Sequence, residues 1–435
     1  MLIPRPALAE LEAALRTAIG GLRVVAVELD IDPLDLVRAG AGAFGSAVFF
    51  SSPAGRVVGG LGVSWAAEAS GPERFVLLDR ALRRSVPNGV EAALGFAFAP
   101  GGPHSSEWDG FPAATVVIPQ IAVWRQGGRS RLSLAVPAGA SPAAVLATAA
   151  MLRRPGPPEV PRGTEPSQPV PPVGDWVDRV TEAVAAIRSG GPAKVVLARA
   201  QRVVLERASE PFDVVAVLRD RFPGCHAYGW QVGTAALVGA SPELLVSRAG
   251  EWFEARPLAG SAPRGADPEE DRRLGDHLLS NPKERAEHAF VVEEVASHLA
   301  PFAETMDRPP GPRLERLTGV QHLATPVGGT TGARLLALVE ALHPTAAVGG
   351  VPRPEALAYI DKVEGMDRGW YAGGVGWVEP GGDGEVAVAL RCALLRGEEA
   401  LVYAGAGIVA DSDPMAEAAE TDLKMSPLLG VFQAG

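Results

Sequence analysis

The sequence predicts a protein that combines helices with antiparallel sheet. Between Leu22 and about Val136, short apolar runs alternate with turns rich in glycine and proline, which is typical of antiparallel strands. The clearest runs are residues 46–50, 93–98 and 114–119. Residues 7–19 and 176–187 instead carry apolar side chains at helical spacing. At 435 residues the chain has room for two or three domains, or for one large α+β domain.

Composition and charge exclude several classes of protein. The net charge is -11 and no stripe of lysine and arginine stands out, which argues against nucleic-acid binding. Cys225 and Cys392 are the only cysteines, so a disulfide scaffold and a cysteine-rich zinc site are excluded. No signal peptide is visible, and the most apolar long run, residues 134–152, is interrupted by two prolines. We therefore expect a soluble cytoplasmic protein that does not cross a membrane.

A proline-rich segment divides the chain. Residues 154–174 are expected to form an exposed connector without strand or helix, because proline cannot donate to a ladder or continue a helix. Residues 1–153 contain no catalytic cluster. Residues 175–435 contain every charged residue whose placement suggests chemistry. The predicted organisation is an N-terminal half, a connector and a C-terminal catalytic region.

The segment from residue 400 to residue 424 carries the strongest pattern. Residues 400–404 predict a short buried strand, and Gly405 and Gly407 predict a tight turn where the backbone can approach a ligand. Asp413 followed by Pro414 predicts a helix start. Three charged residues share one face of that helix: Glu417, Glu420 and Lys424.

Residues 405–410 also match the dinucleotide fingerprint G-x-G-x-x-A. Asp411 and Asp413 place negative charge where a pyrophosphate would bind, which argues against that interpretation. The favoured interpretation is a set of backbone amides that hold a carboxylate, beside a helix that offers carboxylates to a metal. A dinucleotide-dependent enzyme is kept as an alternative.

Two residues have the character of a base and an acid. Lys194 opens the apolar run 194–199 and is either an edge lysine or a pocket lysine that takes a proton from water. Glu243 lies in an apolar stretch, where burial is expected to raise its pKa and keep it protonated, as a general acid requires. The alternative for Glu243 is a turn glutamate bonded to a backbone amide.

Four glutamates form two similar pairs. Glu284 and Glu287 share one face of a predicted helix, and Glu417 and Glu420 repeat the same spacing. Two such pairs that face one cavity would suit Mg²⁺, which prefers oxygen ligands. The alternative is a solvated helix face that pairs with neighbouring basic residues.

Further polar groups suggest a binding site for a carboxylate. Residues 256–265 predict a turn-rich loop with hydroxyl and backbone donors. Arg391 ends an apolar run and is predicted to lie on a buried strand, where its guanidinium could bind a carboxylate with two hydrogen bonds. His322 and Tyr371 add polar groups, and either could equally be a core residue with a satisfied polar tip.

Together these motifs resemble the chorismate-utilising enzymes, and among them the isochorismate synthases. The resemblance is carried by residues 194–199, 239–244, 257–261, 287–288, 343–345, 405–409 and 417–424. It implies one α+β fold like that of anthranilate synthase component I, with a large β-sandwich-like core flanked by helices. It also implies chorismate as the substrate and Mg²⁺ as the cofactor.

The resemblance implies a role for each candidate residue. Lys194 would activate water for attack at C2 of chorismate, and Glu243 would protonate the departing C4 hydroxyl. The implied Mg²⁺ ligands are Glu284, Glu287, Glu417 and Glu420. The implied substrate contacts are Gly260, Ser261, His322, Ala347, Tyr371, Arg391, Gly405, Ala406, Gly407 and Lys424.

Three positions distinguish the members of this family. Anthranilate synthases have glutamine at the position of Lys194 and use ammonia, and aminodeoxychorismate synthases typically have lysine at the position of Ala259. Salicylate synthases usually have threonine at the position of Ala347. The resemblance therefore favours a monomeric isochorismate synthase without a glutaminase subunit, in menaquinone or siderophore synthesis. The alternatives are salicylate synthase, anthranilate synthase component I, and a chorismate-binding protein without turnover.

Overall fold

The computed structural model describes residues 1–18 and 21–433. Within these residues the chain forms eleven α-helices and one short 3₁₀ helix, Ser106–Trp108. The α-helices are α1 Arg5–Thr17, α2 Pro33–Phe44, α3 Arg74–Ser85, α4 Ala143–Met151, α5 Val173–Arg188, α6 Pro211–Arg221, α7 Pro268–Ser280, α8 Pro282–Leu299, α9 Leu335–Leu342, α10 Arg353–Val363 and α11 Pro414–Gln433. None of these helices is long and apolar enough to cross a membrane.

The same residues form 23 strands. The strands are β1 Leu22–Glu28, β2 Ser46–Ser51, β3 Val57–Leu61, β4 Trp65–Ala69, β5 Ala92–Phe96, β6 Ala114–Ile118, β7 Ile121–Gln126, β8 Arg129–Pro137, β9 Gln168–Val170, β10 Lys194–Val204, β11 His226–Val232, β12 Ala235–Ser241, β13 Leu244–Ala249, β14 Trp252–Arg256, β15 Leu258–Pro263, β16 Arg313–Arg316, β17 Val320–Ala324, β18 Val327–Thr330, β19 Gly350–Val351, β20 Gly374–Val378, β21 Gly384–Val388, β22 Cys392–Arg396 and β23 Glu399–Ile408.

The strands form two large antiparallel sheets and one small sheet. The larger has the order β1-β8-β7-β3-β2-β11-β12-β22-β23-β10-β19, with β9 on β10. The second has the order β18-β14-β13-β21-β20-β5-β6-β4, and the small sheet has the order β15-β17-β16. Both large sheets contain strands from either side of the proline-rich segment, so the two halves of the chain share one sandwich.

Side chains alternate between two cores along the strands of the larger sheet. On β2, Val48 and Phe50 join a cluster that also contains Phe96 of the second sheet. Ala47 and Phe49 join a second cluster, which includes apolar residues of α1, α2, α6 and α11. Alternation is what a strand buried on both faces requires. The predicted β-sandwich-like core flanked by helices is confirmed.

Most elements predicted in the N-terminal half are present. The runs 46–50, 93–98 and 114–119 correspond to β2, β5 and β6, although they belong to two sheets rather than one. The helix predicted over residues 7–19 begins at Arg5 and ends at Thr17, and residue 19 lies outside the described residues. The helix predicted over residues 176–187 lies within α5.

The expectation that residues 154–174 form neither strand nor helix is wrong at their C-terminal end. Gln168–Val170 form β9, which pairs with residues 200–202 of β10, and α5 begins at Val173. A proline is tolerated in β9 because the strand lies at an edge, where one missing donor does not interrupt a ladder on both sides. The segment therefore contributes to the larger sheet.

Three local predictions in the C-terminal half are also wrong. Within residues 256–265, Leu258–Pro263 form the strand β15 rather than a loop, and Gly260 supplies a bulge there at a φ of 75°. Arg391 does not lie on a strand but in the turn between β21 and β22, at a φ of 49°. Gly405 and Gly407 do not form a turn, because β23 continues through both and pairs with β10.

Candidate active site

Lys194 lies at the start of β10, beside the glycines of β23. Its side chain is only 9% exposed, and its Nζ lies 3.2 Å from Oε1 of Glu287 on α8. A Cβ added to Gly407 would lie 2.8 Å from Cε of Lys194. Gly407 is therefore needed for space above the sheet rather than for a turn, and it lets the lysine side chain lie across β23.

The amides of Gly405 and Gly407 are directed away from β10. The N–H of Val196 donates to Gly349 O at 2.8 Å and the N–H of Ala198 donates to Glu364 Oε2 at 2.7 Å, both on the side away from β23. Opposed residues of an antiparallel pair either bond to each other or both point outward. Since Val196 and Ala198 oppose these glycines, the peptide groups of Gly405 and Gly407 point outward as well.

Other polar groups lie on that open side of β23. Lys424 Nζ donates to the carbonyl oxygen of Gly405 at 2.9 Å, and Arg391 Nη1 donates to the carbonyl oxygen of Lys424 at 2.7 Å. β22 pairs with β23 only as far as Val402. The amides of the two glycines and two cations therefore border one space, and Ala406 between the glycines is buried. The predicted group of carboxylate-binding donors does not need the predicted turn.

Glu243 is a buried acid, as its apolar surroundings predicted. It follows β12 and is 5% exposed. Burial raises its pKa to about 8, and the opposing charges of Lys194 and Lys424 are not strong enough to cancel this shift. Glu243 is thus protonated at neutral pH and lies near Lys194, the predicted base.

The predicted pairs of glutamates face one another across two helices. Burial raises the pKa of Glu284, and the carboxylates of Glu287 and Glu420 raise it further. Burial also raises the pKa of Glu417 to about 7, and neighbouring Glu420 adds to this shift. In contrast, Lys424 holds the pKa of Glu420 below its ordinary value although burial opposes this. The four acids therefore share one electrostatic environment.

These carboxylates do not form a ready set of metal ligands. Among residues 1–18 and 21–433, no three acidic, histidine or cysteine side chains are close enough together to hold a metal ion. Glu287 lies 3.2 Å from Lys194, and Glu420 lies 2.8 Å from Lys424. Two lysines thus occupy carboxylates that a divalent cation would have to share.

The small sheet contributes the other side of the site. Gly260 lies against Glu284, because a Cβ at that position would lie 2.9 Å from Glu284 Oε2. Nδ1 of His322 lies 2.9 Å from Oγ of Ser261, while its buried Nε2 has no hydrogen-bond partner in the described part of the chain. Burial lowers the pKa of His322 to about 3, helped by Arg391 and Lys424. A neutral imidazole therefore leaves one nitrogen available to a ligand.

Two of the predicted substrate contacts lie in turns around β10 and β23. Tyr371 is buried and stacks on Tyr403, with ring centroids 5.3 Å apart. Its hydroxyl lies beside Gly405, since a Cβ there would be 3.1 Å away. Ala347 is half-buried in the turn between α9 and β19. Gly349, two residues further on, accepts the hydrogen bond from Val196, which connects that turn to β10.

A model of a known family matches nearly the whole described chain. The family is described as chorismate binding enzyme, and the match covers residues 12–433. The chain belongs to this family. The segment 405–410 of this chorismate-binding enzyme therefore has no dinucleotide role, because β23 continues where a phosphate-binding turn would be required.

Individual relatives agree with this assignment. A salicylate biosynthesis isochorismate synthase from Pseudomonas aeruginosa is 40% identical over 354 residues, which is 78% of this chain and 74% of the relative. The anthranilate synthase component 1 of Arthrobacter globiformis is 38% identical over 269 residues, or 60% of this chain and 50% of the relative. The structure of MenF, the menaquinone-specific isochorismate synthase from Escherichia coli, matches with a TM-score of 0.87 and 26% identity, covering 98% of this chain and 99% of that one.

Sequence reasoning missed two buried residues of this chorismate-binding enzyme. Glu364 and Arg368 are 3% and 4% exposed, and they bond to each other and to the backbone of β10. An acid and a base four residues apart are usual on exposed helices, so their spacing gave no signal of burial. The nearby Tyr371 was the only indication that this segment belongs to the site.

Replacing Gly407 by alanine tests the close contact with Lys194. We expect kcat to fall about 10- to 100-fold, which is the effect of a displacement of about 1 Å at a reacting group. The thermal midpoint should change little, because the crowded atom is the flexible end of a lysine side chain. The control is Gly42→Ala on α2, where an added Cβ has no atom within 4 Å. Equal kcat values for the two variants would contradict the argument.

Proposed function

We propose that this enzyme is an isochorismate synthase. The observation that carries the proposal is a protonated, buried acid, Glu243, beside a site that also contains Lys194. A lysine rather than glutamine at that position favours water over ammonia as the nucleophile. Relatives that are named isochorismate synthases support the same activity, whereas a comparable identity to an anthranilate synthase component shows that overall identity alone is not decisive.

The proposed reaction needs one base and one acid. Lys194 accepts a proton from water as the water oxygen bonds to C2 of chorismate. The ring double bonds shift, the bond between C4 and its hydroxyl oxygen breaks, and Glu243 donates the proton with which that hydroxyl leaves as water. One water is consumed and one is released, so chorismate and isochorismate are isomers. An acid with a pKa of about 8 can donate this proton at neutral pH.

The substrate would be held by donors on opposite sides of the site. Arg391 and the outward amides of Gly405 and Gly407 are suited to the enolpyruvyl carboxylate, with Lys424 and Tyr371 beside them. On the other side, Nε2 of His322 is buried and unpaired among the described residues. A buried polar atom without a partner is costly, so a polar group of the substrate would stabilise it.

The same proposal includes Mg²⁺. The donor set fits, because Glu284 and Glu417 carry pKa values raised by burial and by neighbouring carboxylates, and a divalent cation would relieve that repulsion. Glu284, Glu287, Glu417 and Glu420 would hold it, and Lys194 and Lys424 would give up their present carboxylate partners. When bound, the ion would neutralise negative charge at the ring carboxylate.

Incubation with chorismate and Mg²⁺, followed by chromatography, tests the proposed activity. Isochorismate is the expected product. Salicylate and pyruvate would indicate a salicylate synthase instead, and anthranilate formed only with added ammonia would indicate an anthranilate synthase. An unchanged chorismate peak would indicate binding without turnover. We further propose that the enzyme acts as a monomer without a glutaminase subunit, in menaquinone or siderophore synthesis as the names of its relatives suggest.

Ala347→Thr tests why the reaction would stop at isochorismate. Elimination of pyruvate needs the enolpyruvyl group to fold toward C2, and the added hydroxyl and methyl would alter the wall formed by this turn. We expect some salicylate, detected by its fluorescence, and less isochorismate. The product ratio should shift by about 10- to 100-fold, since one pocket change is worth roughly 1–3 kcal/mol. A wild-type enzyme that yields mainly salicylate would instead contradict the assignment.

A further inference from the structure

Glu364 and Arg368 form a fully enclosed ion pair next to the site. Nε of Arg368 donates to Oε1 of Glu364, and Nη2 donates to Oε2, both at 2.6 Å. Each side chain is 3% exposed. Removing two charges from water is expensive, and such a pair is tolerated only where hydrogen bonds satisfy the remaining polar atoms. The other partners of the pair therefore show what it holds in place.

The remaining bonds of the pair go to two backbone segments. Arg368 Nη2 also donates to Val196 O at 2.6 Å, and Glu364 Oε2 accepts the N–H of Ala198 at 2.7 Å. Arg368 Nη1 donates to Val348 O at 2.8 Å. β19 pairs with only Lys194 and Val195 of β10. Beyond β19, the ion pair thus takes the place of a neighbouring strand along the edge of β10.

Both segments carry parts of the proposed site. Val196 and Ala198 oppose Gly407 and Gly405 in the sheet, and Lys194 lies two residues before Val196. Val348 follows Ala347 directly. The carbonyl oxygen of Arg368 also accepts the N–H of Tyr371 at 2.9 Å. One ion pair therefore connects the strand of the proposed base, the turn of Ala347 and the turn of Tyr371.

We infer that Glu364 and Arg368 are positioning residues, which fix the turn of Ala347 relative to the strand that carries Lys194. They touch no part of the proposed substrate site with their charged groups, so they act through the backbone. Because Arg368 is the only member of the pair bonded to Val348 O, its geometry sets the separation of these two walls. This inference rests on the proposed function, since it assigns the pair a role in the same reaction.

Arg368→Lys is the sharpest test, because it keeps the charge and removes the planar fork. An ammonium cannot reach both Glu364 oxygens, Val196 O and Val348 O in the directions that the guanidinium serves. We expect kcat to fall about 10- to 100-fold, as for a displacement of about 1 Å, and the share of pyruvate-eliminated product to change. The affinity for Mg²⁺, measured by its effect on the thermal midpoint, should change less than about twofold, because α8 and α11 do not contact the pair.

A second buried ion pair provides the control. Glu91 is 8% exposed and pairs with Arg56 at 3.2 Å and also with Arg131, in the N-terminal part of the sandwich. Glu91→Gln should lower the thermal midpoint without changing kcat or the product ratio. If Arg368→Lys does not fold, Glu364→Gln replaces it, since an amide can still accept from Ala198.

Two outcomes separate the inference from the function on which it rests. If wild type forms isochorismate and Arg368→Lys behaves like Glu91→Gln in both kcat and product ratio, the positioning role is wrong and the proposed function stands. If wild type forms no isochorismate from chorismate and Mg²⁺, the proposed function is wrong whatever the variants do. A lower kcat that is accompanied by an equal loss of Mg²⁺ affinity would indicate general disruption, and would also overturn the inference.

Discussion

Replacing Glu243 by glutamine is expected to lower kcat by about 10²–10⁴-fold, the usual contribution of one positioned proton-transfer group. Glutamine keeps the size and hydrogen-bonding capacity of the protonated acid but has no acidic proton to give to the leaving hydroxyl. Chorismate binding, measured by equilibrium titration, should change little. Lys194→Ala should cause a loss of similar size by removing the proposed base. Stopped-flow or chromatographic rates at saturating chorismate provide the measurement.

The pH dependence gives Glu243 a second signature. Since burial raises its pKa to about 8, wild-type kcat should fall above about pH 8 as the acid loses its proton. This alkaline limb should be absent from the residual activity of Glu243→Gln. A limb that persists unchanged in the variant would assign the ionisation to another group.

Stability provides a control that excludes simple misfolding. The pKa of Glu243 is higher in the folded protein than in the unfolded chain, where it is about 4.3. The folded state therefore holds the proton longer, and stability is lost as pH rises from about 4.3 through about 8. Glu243→Gln removes this loss, so the variant should be no less stable than wild type at pH 8.

A matched substitution completes the comparison. Glu340 on α9 also has a pKa raised by burial and by neighbouring Glu73, but it has no contact with the proposed site. Glu340→Gln should leave kcat and the alkaline limb unchanged. If Glu243→Gln retained more than about a tenth of the wild-type kcat, the role of general acid would have to pass to another residue.

The fold and most of the site follow from local sequence patterns, but some roles depend on distant contacts. Asp413 and Pro414 were predicted to begin a helix, and the Asp413 side chain does accept the N–H of Ala416 at 2.8 Å. Gly405 and Gly407 predicted a turn because glycine is usual there. Here the space above Gly407 is needed by Lys194, more than 200 residues earlier in the chain. No local pattern contains that information.

The same limit explains the other misplaced residues. Arg391 was assigned to a strand because apolar residues precede it, yet its left-handed backbone ends that run and directs its side chain to Lys424. Glu364 and Arg368 had the spacing of an exposed helical pair, and only the packing of β10 against the turn of Ala347 buries them. Residue type predicted the chemistry of the site better than its backbone.

Removal of the divalent cation is expected to abolish activity, and added Mg²⁺ should restore it. Without a cation, acids on two helices raise one another's proton affinity: the pKa of Glu417 is about 7, and that of Glu284 is raised by burial, Glu287 and Glu420. A dianionic substrate would add to that repulsion. Treatment with EDTA, followed by titration of Mg²⁺ while product is measured, provides the test.

Single substitutions should locate the cation. Glu287→Gln and Glu420→Gln are each expected to lower kcat/KM by more than about 100-fold, a loss typical of removing one group that stabilises charge in the transition state. The thermal midpoint of wild type should rise with Mg²⁺, since a ligand that binds only the folded state stabilises it, and this rise should be smaller in both variants. Glu293→Gln, an exposed acid of α8 paired with Arg308, is the control. Full activity after exhaustive chelation would show that the reaction needs no cation, and the four glutamates would then serve chiefly to orient Lys194 and Lys424.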